Sequence, residues 1–167
     1  MTAFFLAVHV LAAILAVGPV AVAASMFPAA ARRSTDRSTS DRGRSNQGTQ
    51  TDGVAALRVL HRVCRVYAVA GLAVPVFGFA TASSLGVLRD AWVIASILLT
   101  AAAAAVLALA VLPRQDAVLA RLTAADPAPA DAGGGVARLA MLTGVFNLLW
   151  AAVTVLMIVR PGSTTGV

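Results

Sequence analysis

Residues 3–31 read AFFLAVHVLAAILAVGPVAVAASMFPAAA and carry no formal charge. At about 1.5 Å per residue, a helix of that length exceeds the ~30 Å hydrocarbon core of a bilayer. Three further uncharged runs follow at residues 66–88, 91–112 and 139–159, each long enough to span. Backbone amides in hydrocarbon have no water to bond, so each run must satisfy itself as a helix. The fold expected is all-α, a four-helix transmembrane bundle forming a single membrane domain over residues 1–167. Composition leans the same way. Of 167 residues 59% are apolar and 12% charged, with a mean hydropathy of +0.86, against about 25% charged in an average soluble domain. Ala21-Val22-Ala23 resembles a signal-peptidase site, but no basic segment precedes the run and Arg32-Arg33 follows it. It reads as a retained first helix.

The connections carry the charge. Residues 32–53 (RRSTDRSTSDRGRSNQGTQTDG) have no large aliphatic residue and are expected to form a disordered cytoplasmic loop. Residues 54–65 are expected to be an interfacial basic extension of span two. Arg58, Arg62 and Arg65 recur there at helical spacing, with Val59, Leu60, Val63 and Val66 on another face. Arg89-Asp90 turns the chain between spans two and three. Residues 113–138 make a second cytoplasmic loop, a short helical piece and then a Pro/Ala/Gly linker.

All thirteen basic residues are Arg and all seven acidic residues are Asp. With the heavy use of Ala and Val, this resembles the composition of a GC-rich bacterial genome. Arg32, Arg33, Arg37, Arg42, Arg44, Arg58, Arg62, Arg65, Arg114, Arg121 and Arg138 fall on one side of the four runs, and only Arg89 and Arg160 on the other. The positive-inside rule makes the crowded side cytoplasmic, with both termini outside and the chain in a bacterial inner membrane. Trp92 then belongs to the outer interface and Tyr67 to the inner. The basic stripe Arg58, Arg62 and Arg65 predicts contact with anionic lipid headgroups. Because the arginines flank apolar runs, the net charge of +6 is a topology signal and no nucleic acid is expected.

Several chemistries are excluded. The uncharged runs contain no carboxylate for a proton-driven carrier. The single Cys64 cannot form a thiol pair, and no metalloprotease, nucleophile-elbow, P-loop or dinucleotide motif occurs. His9, His61 and Cys64 do not supply a four-ligand metal site, so none is assigned.

In membranes small residues mark helix contacts. His9, Ala12, Ala13 and Ala16 share one face of span one, opposite Leu6, Val10, Ile14 and Val17. Gly78, Ala82 and Gly86 repeat on span two, and Ala140, Thr143, Gly144, Asn147, Ala151 and Thr154 on span four. All three stripes are expected to line the bundle centre. Pro19 and Pro75 free the carbonyls of Leu15 and Gly71. His9 on such a face invites two readings. One is a neutral imidazole bonded to a hydroxyl such as that of Thr154; the other is an axial haem or soft-metal ligand. Asn147 reads as an interhelical clasp and Met157 as packing. His61, beside Arg62 near the cytoplasmic face, is too far from His9 to ligate one iron with it.

The run FLAVHVLAAILAVGPV at residues 5–20 resembles the first helix of an uncharacterised bacterial four-helix integral-membrane family, in which a histidine precedes small residues and a glycine. AWVIASILL opening span three, LPR at residues 112–114 and MIVRPG at residues 157–162 agree with it. That family is distantly similar to copper-resistance D-type proteins and to the haem-associated protoporphyrinogen oxidase, although Val17 stands where those relatives often have tryptophan. The resemblance implies membrane residence without an established activity. It carries over only His9, as a haem b ligand. The residues themselves predict no cofactor. The expected function is a non-catalytic accessory or structural membrane component, alone, as a homo-oligomer or with a membrane-protein partner. The alternative is a haem- or metal-binding membrane protein using His9.

Overall fold

The computed structural model describes residues 2–40, 47–124 and 132–162, and no strand occurs among them. Helices α1 (Thr2–Ser40), α2 (Gln47–Ala70), α3 (Ala73–Leu85) and α4 (Ala91–Ala105) are followed by a π-helical segment, Val106–Val111, then α5 (Leu112–Thr123) and α6 (Ala132–Val159). Joined where they are continuous, they give four helices long and apolar enough to cross a membrane: 2–34, 52–85, 91–123 and 134–159. Helix thus occupies both ends of the segment read as a disordered loop, with residues 41–46 outside the described residues. Ser34 is buried, bonds the Ala30 carbonyl and lies beside Gly53, which holds the extended ends of α1 and α2 together.

Two prolines shape the spans. Pro75 cannot donate to the Gly71 carbonyl. That carbonyl accepts from the Val74 amide at 3.0 Å instead, and the second span breaks into α2 and α3 at this point. Pro113 likewise gives no hydrogen bond to Leu109 and its ring crowds the preceding turn. The chain widens ahead of it: the Leu112 amide bonds the Leu107 carbonyl, five residues back. One extra residue in that turn rotates everything after it by roughly 100°, which sets where Gln115 and Asp116 point. The Arg114 guanidinium donates to the Ala110 carbonyl at 2.9 Å.

The α1 helix lies antiparallel to the second span, with Ser34 beside Gly53, Ala16 beside Gly71 and His9 beside Gly78. On its other side it meets α6, which packs on α4, while α5 returns to α2 and closes the ring. All four spans contribute to one core, including Phe27, Leu57, Leu107 and Phe146. At the far end Trp92 is buried beside Ala82 and Met157. Its indole nitrogen donates to Asp90 Oδ2 at 3.2 Å, and the Arg160 guanidinium lies 5.8 Å from its ring centroid. Much of the outer surface is large and apolar, with Phe4, Leu15, Val69, Leu98, Leu109 and Ile158 exposed. Soluble monomers rarely expose large contiguous apolar patches, and the length and composition of the four helices suit a multi-pass membrane protein.

On α1 the small face turns inward as expected, with Ala16 buried and Leu6, Val10 and Ile14 exposed. On span two Gly78 meets His9 and Ala82 is buried, but Gly86 is exposed and makes a turn at φ 72°. The α6 stripe corrects the expectation. Gly144, Ala151 and Thr154 are exposed, and the buried face is Val136, Leu139, Thr143, Phe146 and Val153. Large side chains at three- and four-residue spacing fill the bundle centre here. The small ones leave a groove.

Candidate functional site

His9 is half-buried, and its Nδ1–H donates to the Val74 carbonyl at 2.9 Å. A carbonyl can only accept, so this bond selects the Nδ1–H form in the neutral ring and leaves a lone pair on Nε2. The ring packs on Gly78, where a Cβ would stand 2.8 Å from Cε1. The expected hydroxyl partner is not the one used. The Thr154 hydroxyl donates within its own helix, to the Trp150 carbonyl at 2.9 Å. A backbone partner from a proline-broken span has no side-chain signature in the sequence.

His61, read as an interfacial neighbour of Arg62, is buried in the bundle. Leu57, His61 and Cys64 form the inward face of α2, while Arg58, Arg62 and Arg65 are exposed. His61 Nδ1–H donates to Gln115 Oε1 at 3.0 Å, and the Gln115 amide donates to Cys64 Sγ at 3.7 Å. Asp116 Oδ1 lies 2.9 Å from Nε2 but off the line of a hydrogen bond, so the contact is an ion pair only when the ring carries both protons. Asp116 faces outward, where such a pair contributes little. The cluster ties α2 to α5. Among the described residues, no group of three His, Cys, Asp or Glu is placed to hold a metal. Sequence reasoning missed Gln115 because the π turn before Pro113 brings it round. The signal that existed was His61 and Cys64 at the three- and four-residue spacing of Leu57.

The third polar site is an open cavity of about 280 Å³ between α1 and α6. Ser25, Pro28 and Arg32 line it from α1, and Thr143, Gly144 and Asn147 from α6. Asn147 is the clasp expected of it, its Nδ2 donating to Ser25 Oγ at 2.9 Å. That bond leaves Asn147 Oδ1 buried without a partner, and Thr143 Oγ1 is in the same state one turn away. Buried polar atoms are seldom left unpaired. Arg32 is exposed at the mouth and forms no ion pair among the described residues. The cavity therefore has a cation at its mouth, with a covered hydroxyl and a covered amide oxygen on residues of its small-residue wall.

Comparison of the chain with family models, with curated proteins and with solved structures finds no match.

Proposed function

We propose that the chain is a small multi-pass protein of the bacterial inner membrane that serves as a non-catalytic accessory or structural component. The observation that carries this reading is the use made of its polar side chains. His9 joins α1 to α3, His61 joins α2 to α5, and Asn147 joins α6 to α1. Each is a clasp between helices, the usual role of polar groups in membrane bundles. The arginine asymmetry supports both termini outside and a basic face of Arg58, Arg62 and Arg65 toward anionic headgroups. Reporter fusions at residues 45 and 130 are expected to register as cytoplasmic and a C-terminal fusion as external. A cytoplasmic C-terminus would overturn that orientation.

A second reading, haem b or a soft metal on His9, is favoured by one observation: the Val74 carbonyl holds Nδ1–H and leaves Nε2 to ligate. The donor set offers one such nitrogen. His61 stands thirteen residues before Val74 on the same span, about 20 Å away along the helix, with Nδ1 committed to Gln115. A visible spectrum of the purified protein separates the readings. The accessory reading expects no Soret band, and His9→Ala to loosen the fold by about 1 kcal/mol. A Soret band that disappears in His9→Ala would replace the first reading with the second.

A further inference from the structure

We infer that the groove between α1 and α6 is a binding site for a single-chain anionic lipid, one whose phosphate stands beside a free hydroxyl, as in a lysophospholipid. The inference rests on the chain spanning a bilayer. Thr143 is 3% exposed, yet its hydroxyl has no partner, and Asn147 Oδ1 beside it is likewise unpaired. One atom asks for an acceptor and the other for a donor. Both residues line the groove although these two atoms are covered, so a small turn of each side chain toward it lets a single ligand hydroxyl answer both, accepting from Thr143 Oγ–H and donating to Asn147 Oδ1.

Arg32 supplies the charge. It lines the same cavity and has no carboxylate partner among the described residues. The Ser25–Asn147 bond marks the inner end of the groove, seven residues and about 10 Å along α1 from Arg32. Thr143 lies between, one turn from Asn147. A phosphate at Arg32 would therefore place the central glycerol carbon, one beyond the carbon that carries the phosphate, level with the Thr143 hydroxyl. In a lysophospholipid that carbon bears the free hydroxyl. In a diacyl lipid it bears an ester, which has no hydrogen to give Asn147. Size agrees, since about 280 Å³ lies just under the roughly 300–1,000 Å³ of ordinary ligand pockets. It admits a small head and the start of one chain along Ala29 and Gly144.

The test uses the full-length protein purified in an uncharged detergent. It is titrated with monooleoyl lysophosphatidic acid, dioleoyl phosphatidic acid, monooleoyl lysophosphatidylcholine and inorganic phosphate, reading binding and thermal shift. The monoacyl acid is expected to bind at least tenfold more tightly than the other three. Arg32→Gln should weaken it about tenfold, as loss of a charge-assisted bond does. Thr143→Val should weaken it severalfold while leaving the lipid-free melting temperature unchanged or higher, because an unpaired buried hydroxyl is removed. Gly144→Leu should fill the groove and weaken binding severalfold, while Gly144→Ala, whose Cβ meets nothing within 4 Å, should come at no cost to the lipid-free fold. Equal binding of the diacyl acid or of inorganic phosphate would overturn the inference. So would a Thr143→Val protein that melts lower without lipid yet binds normally. Release of the chain from membranes by alkaline carbonate would instead refute the membrane reading beneath it.

Discussion

Phe146→Ala should destabilise the bundle by about 3–5 kcal/mol, the range for removing a large aromatic from a filled core. Phe146 is 2% exposed and belongs to the core shared by all four spans. Its ring meets Trp150 edge-on at 6.5 Å between centroids, a geometry that adds to simple burial. Leu148, two residues on, is 72% exposed, and Leu148→Ala should stay within about 0.5 kcal/mol. Unfolding by denaturing detergent, followed by tryptophan fluorescence or helicity, measures both. Equal losses at the two positions would mean that the inward face of α6 has been misplaced.

Gly78→Ala should cost about 1–3 kcal/mol, as overpacking does in a close-packed interior. A Cβ at this position would stand 2.8 Å from His9 Cε1 and 3.1 Å from Nδ1. The imidazole must therefore leave its 2.9 Å bond to Val74. Gly144→Ala is the matched control. Both glycines lie inside helices, where alanine is intrinsically favoured by up to about 1 kcal/mol, so the difference between them isolates the contact with His9. Gly144→Ala should be neutral or stabilising. Combining Gly78→Ala with His9→Ala should recover part of the loss, since the second change removes the clashing ring. A Gly78→Ala protein as stable as the parent would show that His9 does not pack there.

Much of the architecture follows from patterns a few residues wide. The uncharged run at residues 3–31 is longer than a bilayer is thick, and nothing in the rest of the chain can alter that. The His9, Ala12, Ala13 and Ala16 face of α1 was legible for the same reason, because its partner is a glycine-bearing span and small meets small. The α6 stripe obeyed the same rule and misled. Small residues show where helices are able to approach, and whether they do so depends on the larger residues beside them. Phe146, Leu139 and Val153 took the centre of the bundle and turned Gly144 and Ala151 toward a groove and the lipid.

The sites divide along the same line. Asn147 as a clasp could be read from one polar amide in an apolar helix, whereas its partner Ser25 is 122 residues away. His61 and Gln115 are 54 residues apart and meet only because Pro113 forces a wider turn ahead of α5. The unpaired state of Thr143 Oγ1 and Asn147 Oδ1 is a property of surroundings and has no trace in any local pattern. By itself, then, the sequence determined that there are four membrane-length helices, because span length, charge and backbone hydrogen bonding act within one segment. The tertiary structure alone decided which face of α6 is inside, what His9 and His61 hold, and that a polar groove opens beside Arg32. Those outcomes depend on relative rotations of helices, and rotation is settled by packing volume summed over all four at once.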